Sequence, residues 1–233
     1  MKLNNKRTIL VGLAFLSICA FWQMYDSIVP LILTKTFHMN ETFSGAIMAA
    51  DNILALFLLP FFGSVSDKSH SKLGKRMPFI LFGTGCAIIL MNILPLLDNS
   101  YAAQPSGFKT ASFVIVLGLL LVAMGTYRAP AVALMPDVTP KPLRSRANAI
   151  INLMGAVGGI LYLGVAAVLY PNSKTAGLDH VNYQPLFIVV SAIMFVAVAV
   201  LFLTIREPKL TAENQALEKQ HPCLLYTSPS PRD

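Results

Sequence analysis

Six long apolar runs dominate the chain, at about 8–33, 45–66, 78–97, 111–135, 147–170 and 185–205, and short polar stretches separate them. A helix crosses a hydrocarbon core of ~30 Å with roughly 20 apolar residues at 1.5 Å each, so each run predicts one transmembrane helix. Strands of a membrane barrel are about half as long and alternate in polarity, which these continuous runs exclude. The pattern predicts an all-α membrane protein, with a six-transmembrane-helix bundle over residues 1–205 and a polar, helix-permissive segment at 206–222. Residues 223–233 have no helical period and resemble a translated sequencing adaptor. They read as a non-native tail.

Composition supports the pattern, because 55% apolar and 12% charged residues are far from the values of a soluble domain. Charge then orients the bundle. Lys and Arg flanking the spans are retained on the cytoplasmic side. With both termini inside, that side holds thirteen of them: Lys2, Lys6, Arg7, Lys68, Lys72, Lys75, Arg76, Lys141, Arg144, Arg146, Arg206, Lys209 and Lys219. The other side holds three, Lys35, Lys109 and Lys174. Topology thus accounts for the net charge of +7, and no basic patch with interleaved aromatics is left for nucleic acid. The expected location is the plasma (inner) membrane, as a multi-pass protein. The first run is too long for a cleaved signal peptide, and no small-x-small site closes it.

Enzyme chemistry finds no support. There is no Gly-x-Ser-x-Gly, no metal-ligand spacing and no paired catalytic set, and His38, His70, His180 and His221 fall in loops or the tail. The cysteines show no disulfide or metal spacing, and Cys19 and Cys86 read as packing residues. No cofactor and no metal site are expected.

An ionisable group at mid-bilayer costs at least ~2.5 kcal/mol on insertion scales, which makes each one a functional candidate. Asp26 in the first run, Asp51 in the second and Arg128 in the fourth stand out, while runs three and six carry none. From the helical rise, both aspartates lie roughly 6–8 Å to the outer side of the midplane and Arg128 a comparable distance to the inner side. A direct pair between Arg128 and either acid would then need tilt, a kink or a water bridge. Trp22 and Asp26 are four apart on one helical face, with Gln23 and Tyr25 beside them. An aromatic platform with carboxylate and amide groups suits a hydroxyl-rich ligand, and a buried carboxylate that alternates between protonated and charged forms can couple a cation to it. Asp51 and Asn52 add a second acid beside an amide. Arg128 follows Tyr127 and precedes Pro130, where a helix is expected to break or kink. In the fifth run Asn148, Asn152, Gly155 and Gly159 form a stripe suited to close helix approach.

The polar breaks carry a resemblance. Gly63, Asp67 and Lys68, followed by Gly74, Lys75 and Arg76, resemble the loop between the second and third helices of the major facilitator superfamily. The form is nearest to its sugar-cation symporters. Met135 to Asn148, with Asp137, Arg144 and Arg146, is similar to the loop after the fourth helix of carriers of the sucrose and glycoside-pentoside-hexuronide type. The resemblance covers about residues 8–210. It implies that this is the N-terminal half of a twelve-helix fold, whose first and fourth helices line a central cavity and whose third and sixth stand outside.

On that reading a sugar binds at the midplane between this half and a missing C-terminal half, and rocking of the halves alternates access. The coupling cation is a proton, or else sodium; the fourth-helix acid of melibiose-type sodium sites has no match here. Charges of the two loops form a cytoplasmic gate. The chain departs from the sucrose-type pattern at Arg128, because Asp137 follows nine residues later where about five are expected. The fifth run also lacks the proline of the antiporter signature. The rival expectation is a complete six-helix protein forming an oligomeric channel or scaffold.

Overall fold

A computed structural model describes residues 3–220 apart from 176 and 179. The first apolar run becomes α1 (Asn5–Leu31), capped by the Asn4 side chain, which accepts the Arg7 N–H. Past Pro30 its hydrogen-bond ladder shifts, and the helix ends in a π-helical turn, Ile32–Thr36. Then follow α2 (Glu41–Asp67), α3 (Met77–Ala103), α4 (Gly107–Val138), α5 (Arg144–Leu169), the single turn α6 (Asn172–Thr175), α7 (Gln184–Thr204) and α8 (Glu207–Gln220). No strand occurs among the described residues. Six of the helices are long and apolar enough to cross a membrane: α1 through its π-helical end, α2 to α5, and α7.

Two helix pairs make the framework. α1 packs along α5, α4 packs along α3, α7 joins them by touching both α1 and α3, and α2 lies on α4. The shared core holds Phe21, Met24 and Tyr25 of α1, Phe113 and Met124 of α4, and Phe187 and Met194 of α7, all at most 1% exposed. The α1–α5 contact depends on glycine. A Cβ on Gly158 would run into the backbone of Leu16, and backbone cannot step aside as a side-chain tip can. Of the expected stripe Gly155 makes a close approach, to Cys19 Sγ, whereas the nearest atom to a Cβ on Gly159 is Gln23 Oε1 at 3.8 Å, ordinary contact; Gly158, outside that stripe, makes the tightest one.

α2 and α5 close the two ends of this row and have the least cover. α2 exposes Ile53, Leu56, Phe57 and Phe61, and α5 exposes Leu153, Ile160 and Val168. Asn148 and Asn152 are exposed as well. The fold is that of an N-terminal half of the major facilitator architecture, and these two helices are its open rims.

Pro130 and Pro136 do not break α4, which stays helical from Gly107 to Val138. α3 also runs past its apolar stretch to Ala103, so Asp98 lies inside the helix and is fully buried. The expectation that the third span carries no ionisable group is thereby corrected. Hydropathy falls before the backbone hydrogen bonds do. Arg206 to Gln220, read as a polar linker, begins α8 at Glu207.

Candidate functional site

Trp22 of α1, Asp51 of α2 and Arg128 of α4 converge on one recess, walled by Leu54, Ala55, Leu58 and Leu121 and floored by Gly125. The Arg128 guanidinium carbon stands 5.5 Å from the centre of the Trp22 ring, within cation–π range. Trp22 is held in turn by edge contacts with Phe21 and Tyr25, at 5.4 and 5.3 Å between ring centres. The inner-side arginine and the outer-side aspartate thus share one recess without a break in α4. No ion pair joins Arg128 to Asp26 or Asp51 among the described residues.

Three buried polar atoms here have no hydrogen-bond partner: Trp22 Nε1, Tyr25 Oη and Asp51 Oδ1. Buried donors and acceptors are satisfied almost everywhere in proteins, and leaving one unmade costs about 1–3 kcal/mol. Orphans grouped on two neighbouring helices mark a place where water or a ligand completes the bonding. The recess has about 20 Å³ of free volume, room for a single water. Small-molecule sites take roughly 300–1,000 Å³, so the recess alone does not enclose a small molecule.

The other expected site residues divide. Asp26 is exposed on α1, and Asn52 is exposed on α2. Gln23 sits on the α5 side of α1, near Gly159. Tyr127 is a correction. It is fully buried, and its hydroxyl lies 2.6 Å from Ser17 Oγ and donates to the Ala14 carbonyl at 3.1 Å. Those bonds pin α4 to α1 and leave Tyr127 nothing to offer a ligand.

A second polar centre stands at the basic end of the bundle. Arg76, 5% exposed, is ion-paired to Asp67 and donates to Asp137 at 2.9 Å, to Ser66 Oγ at 2.6 Å and to the Gly63 carbonyl at 3.3 Å. One guanidinium thus ties the end of α2 to the end of α4. Gly63 acts through that carbonyl, and nothing lies within 4 Å of the position a Cβ would take there. Arg144 donates to the Pro136 and Thr139 carbonyls at 2.8 and 3.1 Å, closing the C-terminal end of α4. Lys68 is the C-cap of α2, and Arg146 is exposed.

Glu207 completes this centre and no sequence motif marks it. Its carboxylate accepts the backbone N–H groups of Lys75 at 2.7 Å, of Arg76 at 2.9 and 3.1 Å, and of Met77 at 2.9 Å. These are orphan donors at the start of α3, where the helix dipole favours negative charge. Lys75 therefore contributes its backbone. Gly74 is needed for the fit, since its φ is +114° and a Cβ would strike the Glu207 side chain.

At the opposite end, Asp98 has two buried oxygens without a hydrogen-bond partner, and His180 Nε2 approaches one at 3.9 Å. His180 also reaches Asn99 Oδ1 at 2.9 Å and Thr36 Oγ1 at 3.3 Å, gathering α1, α3 and the segment before α7. No cluster of metal-ligating side chains occurs among the described residues.

A family model described as Major Facilitator Superfamily matches residues 11–230. Sucrose transport protein SUC3 of Arabidopsis thaliana is 35% identical over 158 residues, covering 63% of this chain and 26% of the relative. Sucrose transport protein SUT3 of Oryza sativa subsp. indica is 36% identical over 154 residues, 60% of this chain and 30% of the relative. Solute carrier family 45 member 3 of Homo sapiens is 25% identical over 206 residues, 87% of this chain and 36% of the relative. The chain spans about a quarter to a third of the length of these relatives.

Proposed function

The chain belongs to the Major Facilitator Superfamily, and we propose that it supplies the first six helices of a carrier that moves a sugar across the plasma membrane together with a proton. One observation carries the reading: an aromatic face, a carboxylate and a guanidinium from three helices meet in a recess too small to be a site by itself. A second six-helix half, seated against the uncovered rims of α2 and α5, would supply the opposite wall. Trp22 then offers its ring to the apolar face of a sugar, and Arg128 and the unpaired Asp51 oxygen take its hydroxyls. Relatives named for sucrose transport, at 35 and 36% identity, support a sugar as the substrate class.

Asp51 and Asp26 are the candidate proton carriers. Protonation of Asp51 removes the negative charge that faces Arg128, and loss of the proton restores it, which links occupancy of the recess to the proton. Alternating access follows from rocking of the two halves about the recess. The Arg76 centre, read as cytoplasmic because basic residues favour that end thirteen to three, holds the inner ends of α2 and α4 together while that side is shut.

The test is uptake of a labelled disaccharide by cells that lack their own carrier and express this half joined to a second six-helix half. Accumulation above the external concentration, collapsed by a protonophore, is the expected result. Absence of uptake with the protein present in the membrane would overturn the reading.

A further inference from the structure

A groove of about 450 Å³ lies between the start of α3 and the junction of α7 with α8, lined by elements other than those that line the recess. Leu73, Met77, Phe202 and Leu203 form its apolar wall, and Lys72, Arg206 and Lys209 line it as three exposed cations. No acid is among its lining residues. Glu207, next in sequence to Arg206, is 2% exposed and has its carboxylate occupied by the N–H groups at the start of α3. The positive charge of the groove is therefore not neutralised from within. Leu203 is 77% exposed and Leu73 46%. Farther along the same two helices, Phe195 and Val196 of α7 and Phe82 of α3 are exposed.

We propose that this groove binds one anionic phospholipid of the cytoplasmic leaflet. Its phosphate lies among Lys72, Arg206 and Lys209, and an acyl chain lies along Leu73, Met77, Phe202 and Leu203. Basic pockets between transmembrane helices on the cytoplasmic side suit acidic headgroups, and the apolar wall sets a lipid apart from a soluble phosphate, which would gain nothing from exposed leucine. The site has a mechanical consequence. Lys72 belongs to the loop that carries Gly74 and Arg76, while Arg206 and Lys209 flank Glu207. A lipid bridging them presses that loop onto α8 and reinforces the latch of Glu207 on α3.

Native mass spectrometry of the 233-residue chain in detergent tests this, with phosphatidylglycerol and phosphatidylcholine of identical acyl chains at equal concentration. The expected result is preferential retention of phosphatidylglycerol, reduced on the order of tenfold by Arg206→Gln/Lys209→Gln, since each basic residue near a lipid headgroup contributes roughly fivefold before screening. Lys6→Gln/Lys141→Gln, which removes the same charge from the same end of the bundle, leaves the preference in place. Circular dichroism checks that both variants keep their helix content. Equal retention of the two lipids overturns the proposal, and so does an equal loss in both variants, which would mean general charge attraction. Displacement of phosphatidylglycerol by glycerol 3-phosphate alone would make the groove an anion site with no lipid specificity, and overturns it too.

Discussion

Both oxygens of the Glu207 carboxylate accept the backbone N–H of Arg76, at 2.9 and 3.1 Å, while the Arg76 side chain reaches away to Asp67 and Asp137. One residue thus joins two systems: its backbone anchors α3 to α8, and its guanidinium anchors α2 to α4. Local order in the loop and closure of the basic end are coupled through a single Cα.

Removing the cap should be costly. Glu207→Ala strands the N–H groups of Lys75, Arg76 and Met77, and we expect a loss of about 2–3 kcal/mol, read as a lower midpoint of thermal unfolding in detergent. Glu207→Gln keeps one acceptor oxygen and should lose less. An unchanged midpoint for the alanine variant would mean that water replaces the carboxylate at no cost.

Gly74→Ala tests the same latch from the other side. Alanine at φ +114° is strained by about 1–2 kcal/mol, and its Cβ would also displace Glu207. Gly177 is a natural control, with φ +82° and nothing within 4 Å of the position a Cβ would take. Gly74→Ala should therefore lower the unfolding midpoint clearly more than Gly177→Ala. Equal effects would reduce the role of Gly74 to backbone strain.

Arg76→Lys separates charge from geometry. Lysine keeps the positive charge but cannot serve Asp67, Asp137, Ser66 and the Gly63 carbonyl together. We expect a loss of about 2 kcal/mol, because Asp67 is 61% exposed and water compensates part of its pairing. In a carrier with both halves, disaccharide uptake should fall on the order of tenfold with binding retained. Uptake at the level of the unsubstituted protein would show that charge alone suffices.

The six spans were legible because the bilayer fixes a length, and runs of apolar residues that long have no other use. Their ends were less legible. Asp98 reads as a loop residue by hydropathy, yet α3 continues beyond it and buries it beside His180. Asp51 and Arg128 stood out because charged groups are costly in lipid, and Trp22 because it shares a helical face with Asp26, but their meeting in one recess follows from the packing of three helices, which spacing along a chain does not encode. Tyr127 misled for the opposite reason. Neighbours on a helix point about 100° apart, so the residue beside Arg128 faces α1 and bonds Ser17. Glu207 looked like any acid in a solvated linker; its place directly after the last span, on the same end as Arg76, was the one signal it gave.

Asp51 and Asp26 should not respond alike in the assembled carrier. Asp51 lines the recess with Arg128 and has one buried oxygen without a partner, whereas Asp26 is exposed on α1. Asparagine keeps the size and a carbonyl oxygen but cannot bind and release a proton. Asp51→Asn should therefore abolish accumulation against a gradient while leaving sugar exchange, since it fixes the recess in its uncharged form beside Arg128. Asp26→Asn should reduce accumulation less. Arg128→Lys should impair sugar binding itself, because the planar guanidinium over Trp22 is lost along with its fork of donors. Paired measurements of gradient-driven uptake and of exchange at equilibrium distinguish these outcomes. Full pH-dependent accumulation in Asp51→Asn would remove Asp51 from the coupling path and turn the search to Asp26.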